Sequence, residues 1–300
     1  MVKIDQHFDF TGSEPVMAEV YRFATTTTGD DISTEVQKRA RLLFLDLIGV
    51  LAAGSQTELS RIICSYAADH HGAGGAAATI PFDGRRVSPS GAALAAGMTL
   101  DAIDAHDGHR LVKGHVGCAV LAALLACAED LRVTDGRELL TSLVIGYQLG
   151  TRAGRALHEA PETGDEYHTS GVWSALAGVS AAYLARAGFT GAPVVSIERS
   201  HLQHYWNDLG RNWETLQQYV KPQPVCPWTQ PATTAAEHLL RDHKIDTADI
   251  TRIEIDTFEE ATKLSQTMPT NTEEAQYNVP FPLATLLVRS QVGATEVTHT

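Results

Sequence analysis

Seven apolar residues set the strongest constraint on what this chain can become. Val36, Ala40, Leu43, Phe44, Leu47, Ile48 and Leu51 recur at the i, i+3, i+4, i+7 spacing that puts them on one stripe of a helix. Gly54 stands where a helix of that phase ends, and Asp30 or Ser33 offers an oxygen to cap its start. A stripe this long has to be covered by other apolar surface. Helical segments are predicted at 57–70, 89–104, 115–130, 136–158 and 168–187, all rich in Ala and Gly, so that backbones can approach closely. The first two thirds of the chain therefore read as a tightly packed helical domain.

Past about residue 190 the pattern changes. Glu198, Arg199, His201, His204, Tyr205, Trp206 and Trp213 replace the Ala-rich periodicity, and Lys221-Pro-Gln-Pro-Val-Cys-Pro-Trp228 is too rich in proline to continue a helix. Ala232–Arg241 is a helix candidate, and Arg252-Ile-Glu-Ile-Asp-Thr-Phe258 alternates as a half-buried strand does. The expected organisation is a mainly α protein, with a large all-helical domain over 1–209 and a smaller α+β lid over 210–300. No internal repeat is evident. Gly72, Gly74 and Gly75 superficially resemble a phosphate loop, but no strand precedes them and no GK[ST] follows, so they are read as a turn.

With 300 residues, 44% of them hydrophobic and 20% charged, the chain can bury a core and is not of disordered composition. No apolar run reaches membrane-spanning length, and Met1–Phe10 is polar and acidic without a signal-peptide core, so a cytoplasmic protein with no membrane partner is expected. The formal net charge of −13 repels phosphate backbones and argues against nucleic acid. An anionic substrate would then need local basic groups to overcome the global field. Cys64, Cys118, Cys127 and Cys226 form no CxxC pair and match neither a disulfide framework nor an iron–sulfur ligand set.

The densest polar cluster runs from Asp101 through Asp104, His106, Asp107, His109 and Arg110 to Lys113 and His115. If the helix from 89 continues, Asp101, Asp104 and Asp107 share a face. Carboxylates and imidazoles beside two cations can move a proton while holding a carboxylate. A solvated helix end with capping charges would look the same, and so, in part, would a metal site, although no HExxH or other zinc signature is present. Tyr167-His168-Thr-Ser-Gly171 precedes an Ala-rich helix, where it can bind an anion or simply cap. Lys221 can pair with a carboxylate or be a surface charge. Cys226 reads as a packing residue, and Tyr277 as a proton donor or a core tyrosine.

Taken in order, these stretches resemble the MmgE/PrpD family. Asp46-Leu-Ile-Gly49 followed by Ala-Ala-Gly54 looks like its early helix. Asp104-Ala-His-Asp-Gly-His-Arg110 with Gly114-His-Val-Gly117 is similar to its D-x-x-D-G-H-R and G-H-P-G stretch. Tyr167-His-Thr-Ser-Gly171 is similar to its histidine segment, Lys221-Pro-Gln-Pro-Val-Cys226 to K-P-Y-P-x-C, and Ala275-Gln-Tyr277 with Pro280-Phe-Pro282 to A-Q-Y-S. The resemblance implies a helical domain plus an α+β lid, usually as a homodimer, with the site in the cleft between them. It also implies proton chemistry next to a carboxylate on a small di- or tricarboxylate, without metal or other cofactor. Asp104, Asp107, His115, His168, Lys221 and Tyr277 fall on the family's catalytic positions, with Asp101, His106, His109, Arg110 and Lys113 as substrate-binding candidates.

The chain also departs from the family pattern. Asp101 stands where a histidine is common, His106 replaces a usual acid, and Val116 replaces the proline of G-H-P-G. A stretch after Tyr167 that brings a helical hairpin and a site lysine is missing, and the family continues past position 300, so a shortened or incomplete member is expected. The activity expected is a 2-methylcitrate-dehydratase-like lyase. An iminodisuccinate-type epimerase and a non-catalytic binding or dimerisation module are the alternatives.

Overall fold

The computed structural model describes residues 15–159, 171–188, 195–198 and 200–298. The chain is mainly α. Helix α1 (Pro15–Thr26) leads into α2 (Thr34–Gly54), the stripe-bearing helix, which starts where Ser33 accepts a hydrogen bond from the Val36 amide and ends on Gly54. There follow α3 (Glu58–His70), a short antiparallel ribbon of β1 (Ala78–Thr79) and β2 (Arg86–Val87), and α4 (Pro89–Asp101). Then come β3 (Gly108–His109), α5 (Val116–Asp130), α6 (Gly136–Glu159) and α7 (Gly171–Arg186). The glycine-containing stretch at 72–75 is indeed a turn region, touching the ribbon only through a bridge from Gly72 to Val87.

Helix α4 is the axis of the bundle. It is apolar on all sides and packs against α2, α3, α5 and α7, as a helix without a polar face must. The main core gathers around it, with Leu43, Leu47 and Leu51 of α2, Leu94 and Leu100 of α4, Leu121 of α5 and Leu143 of α6. Small residues permit the close crossing of α5 and α6. Val112, Val116 and Val120 lie opposite Gly154, Gly150 and Gly146, and a methyl group added at Gly150 or Gly154 would come within 2.7 Å of a valine methyl. The valine that departs from the family's proline thus fills a groove that a glycine leaves open.

On the other side of α6, a second apolar cluster joins Phe23 of α1 to Ile197 of α8 (Val195–Glu198), Trp206 and Leu209. The segment from Ser200 to Gln217 is mostly 3-10 turns rather than α-helix, and it runs into β4 (Gln218–Tyr219). Beyond lie α9 (Gln230–His243), α10 (Glu259–Thr262), α11 (Thr272–Gln276), α12 (Pro280–Arg289) and α13 (Ala294–Thr298), around a small core of Val225, Ala275, Leu286, Val292 and Val297.

The strand expected at 252–258 forms no ladder. Its alternation is real in sequence, but no described strand pairs with it, and Ile253, Ile255 and Phe258 stay exposed. An alternating segment becomes a strand only when another edge satisfies its amides. Among the described residues no single helix is long and apolar enough to cross a membrane.

Candidate active site

Helix α4 stops at Asp101, three residues earlier than its periodicity suggested, so Asp101, Asp104 and Asp107 do not share a helical face. The chain turns instead. Asp104 adopts a left-handed backbone with φ +44, a conformation uncommon outside glycine and asparagine and one that surrounding contacts must hold in place. The turn delivers β3, which pairs antiparallel with β4 in the register Gly108 to Tyr219 and His109 to Gln218. This ribbon carries Lys221, far along the chain, up against the turn. The Lys221 ammonium donates to the Asp104 carbonyl at 2.7 Å and forms an ion pair with the Asp104 carboxylate. Of the two readings of Lys221, a surface charge is excluded: its ammonium is fully enclosed and paired with a carboxylate of the protein itself.

The imidazoles complete the cluster. His115, the residue preceding α5, has its Nδ1 2.7 Å from the Asp107 carbonyl oxygen. A carbonyl only accepts, so Nδ1 carries the hydrogen and Nε2 keeps its lone pair. Burial, then the neighbouring His106 and Lys221, push the His115 pKa down to about 2, which keeps the ring neutral across the physiological range. His106 is fully buried, meets His115 edge-on with ring centroids 4.3 Å apart, and hydrogen-bonds Asp101 Oδ1 through Nε2 at 2.7 Å. Burial alone would raise the Asp101 pKa, but the bond to His106, with the nearby Lys221 charge, outweighs it and holds the carboxyl below its ordinary value.

Asp107 faces inward. Its Oδ2 accepts from the Tyr147 hydroxyl at 2.7 Å, while its Oδ1 is buried without a partner and lies against Gly117. Burial pushes this carboxyl up to about 6, against the pull of the Tyr147 bond, His106, Lys221 and Arg39. Asp46 of α2 is raised to about 6 too, by burial and by the Asp107 charge. On the lid side, the Gln276 amide donates to the Ala102 carbonyl at 3.1 Å and the Gln276 carbonyl accepts from the Cys226 amide at 2.9 Å, tying the Tyr277 segment to the turn. Desolvation, then Asp104, Cys226 and Asp101, hold the Tyr277 phenol well above its usual range, so it keeps its proton.

Of the positions singled out in the sequence, Asp101, Asp104, His106, Asp107, His115 and Lys221 converge, with Tyr277 beside them. His109 does not: it points away from the cluster, with Nε2 3.3 Å from Glu214, which also binds Arg155 at 2.6 Å. Arg110 and Lys113 are exposed in the turn between β3 and α5, and neither bonds to the cluster among the described residues. His168 lies outside the described residues. Tyr219, Tyr147 and Asp46 belong to the site but had no assigned role. Tyr219 packs its hydroxyl onto Gly108, and the same glycine sits beside His115 Nδ1. Its place two residues before Lys221 was the available signal. Nothing in the sequence pattern of α6 marks Tyr147.

Donor atoms of Asp104, His106 and His115 lie within 4.8 Å of one another, close enough to surround a divalent ion. The chemistry of the set does not favour one. A cation there would press against the Lys221 ammonium, and Asp104, the only carboxylate of the three, is already paired with it. A neutral imidazole with a free Nε2, a protonated phenol and an ammonium fit proton transfer near an anion better.

A cis-aconitate decarboxylase-like protein, oryM, of Aspergillus oryzae is 30% identical over 179 residues, covering 58% of this chain and 37% of that protein. A cis-aconitate decarboxylase of Aspergillus terreus is 27% identical over 180 residues, covering 59% of this chain and 36% of its own length. The matched stretch thus spans little more than a third of these relatives. The MmgE/PrpD N-terminal domain matches residues 18–177 and the MmgE/PrpD C-terminal domain matches residues 224–300. With both domain families matched in order along the sequence, the chain belongs to the MmgE/PrpD family.

Proposed function

We propose that this chain is a lyase that removes a proton from carbon next to a carboxylate of a small di- or tricarboxylate, in a 2-methylcitrate-dehydratase-like elimination. What carries the reading is the set tautomer of His115: Nδ1–H is committed to the Asp107 carbonyl, leaving Nε2 as the proton acceptor. Lys221, once a substrate carboxylate replaces Asp104 as its partner, supplies the positive charge for the oxygens on which charge develops, and Tyr277 donates the proton that leaves with the hydroxyl as water. Asp107 orients the base through its backbone carbonyl rather than its side chain. The names of the relatives favour a lyase over the epimerase alternative.

A pKa near 2 makes His115 a weak base while the site is empty. An incoming carboxylate at about 5 Å contributes roughly 3 kcal/mol to its protonated form at an effective dielectric of about 20. Substrate carboxylates therefore raise the basicity of a ring that the empty site suppresses. A homodimer, a cytoplasmic location, and a division into 1–209 and 210–300 belong to the same proposal, as does His168 as a second acid–base group. The enclosure of Lys221 by Asp104 favours one second reading, a binding module without turnover.

The test is incubation in deuterated buffer with citrate, 2-methylcitrate, cis-aconitate and iminodisuccinate, followed by NMR. Elimination of water with a rate that falls about 100-fold or more in His115→Ala is the expected result. Deuterium uptake without elimination means an epimerase, and neither process means a binding module.

A further inference from the structure

Asp101 differs from every other charged group in the cluster by being open to solvent. Its side chain is 46% exposed, whereas that of Asp104 is 5% and those of His106 and Lys221 are 0%. Asp107 is wholly buried. The groups a ligand can reach are therefore Asp101, the half-buried His115 and the 43%-exposed Tyr277. The accessible charge is a carboxylate, and the one cation in the cluster that could offset it is sealed off with Asp104. Asp101 is also held in place: Oδ1 accepts from His106 Nε2 at 2.7 Å, and among the described residues Oδ2 has no partner. It is an oriented acceptor with one open oxygen, close enough to Tyr277 and His115 for its charge to act on both.

Resting on the polycarboxylate reading above, we infer that Asp101 is a specificity-determining residue that selects substrates carrying a hydrogen-bond donor, a hydroxyl or a protonated nitrogen, on the carbon beside the one that loses its proton. Such a donor satisfies Asp101 Oδ2 while the neighbouring carbon faces His115. A ligand that brings a carboxylate to the same place meets a like charge, and one that brings only carbon leaves a charged acceptor stripped of water. In this chain a hydroxy- or amino-polycarboxylate fits and an unsubstituted one does not.

Isothermal titration calorimetry at pH 7 with two matched pairs, citrate against tricarballylate and aspartate against succinate, tests this without requiring turnover. Each donor-bearing member binds about 10- to 100-fold more tightly in the wild type, the range expected for a hydrogen bond to a charged group. In Asp101→Asn, which keeps an oxygen for His106, the aspartate preference falls to within a few-fold and the citrate preference shrinks. Equal affinities within each pair of the wild type, or ratios unchanged by Asp101→Asn, overturn the inference while leaving the polycarboxylate reading standing. Binding of none of the four ligands overturns that reading, and this inference with it.

Discussion

Lys221 and Asp104, 117 positions apart in the chain, form an ion pair whose ammonium has no contact with solvent. Their attraction offsets the cost of taking two charges out of water only while both are present. Lys221→Met leaves the Asp104 carboxylate buried and uncompensated, and is expected to cost about 3–5 kcal/mol in urea unfolding. Adding Asp104→Asn to Lys221→Met is expected to recover most of that loss. If the single and double variants unfold at the same midpoint, the pair is not the enclosed unit described here.

Asp46 and Asp107 make stability depend on pH in the opposite sense to an ordinary salt-bridged carboxylate. Both have pKa values near 6 in the fold, against 3.8 for the unperturbed group. Below about pH 4 both states of the protein are protonated at these positions and nothing is lost. Between about 4 and 6 the unfolded chain releases the proton and the folded one keeps it, so folding weakens. Above 6 the penalty levels off, at up to about 3 kcal/mol for a group shifted this far. Asp46→Asn is expected to stabilise the protein at pH 7.5 and to make no difference at pH 3.5. Denaturation midpoints of the two proteins across that range measure it.

His115 acts against this trend, since a buried neutral imidazole is lost as the unfolded chain gains protons below about 6.5. The pH–stability curve of the wild type therefore sums two opposed slopes. Only the difference between wild type and Asp46→Asn isolates the acid pair.

Among the described residues, Tyr147 donates the one side-chain hydrogen bond that Asp107 receives. Tyr147→Phe leaves both Asp107 oxygens without a donor, at a cost of about 1–3 kcal/mol near neutral pH. It also removes the bond that held the Asp107 pKa down, so that pKa climbs further. The climb is checked by following the Asp107 carboxyl by carbon-13 NMR in the two proteins.

Gly117, in the first turn of α5, has no room for a side chain. A methyl group there would collide with Asp107 Oδ1 and the Tyr147 hydroxyl. Alanine is the better helix former by about 1 kcal/mol, but displacing a buried carboxylate costs about 1–3 kcal/mol and wins. Gly117→Ala is expected to lower the melting temperature and, by shifting the Asp107 carbonyl that orients His115, to depress turnover more than ligand affinity. Unchanged melting would show that the carboxylate can move aside.

Much of the bundle could be read from the sequence because its information is local. The stripe from Val36 to Leu51 and the Ser33 cap specify α2 without reference to anything else. Where tertiary contacts decide, local pattern misled. The apolar period of α4 runs on past Asp101, yet the helix ends there, and Asp104 accepts a left-handed backbone because Lys221 and the ribbon hold it. His109 read as a substrate-binding candidate beside the catalytic His115, but its ring is claimed by Glu214. The alternation at 252–258 lacked a neighbouring edge. Tyr147 carries no motif of its own, Asp46 was legible only as part of the early-helix motif, and both enter the site because three helices meet behind Asp107.

The two-residue ribbon of β3 and β4 has a consequence for the chain as a whole. A polypeptide ended before Gln218 would keep Asp104 and lose its counter-ion, and one begun after Tyr219 would keep the ammonium and lose both imidazoles. Neither piece holds a balanced charge, and each exposes what the other was meant to cover. The buried cluster is thus also a checkpoint on chain integrity, satisfied only when distant parts of one molecule, or two fragments that find each other, close the same stitch.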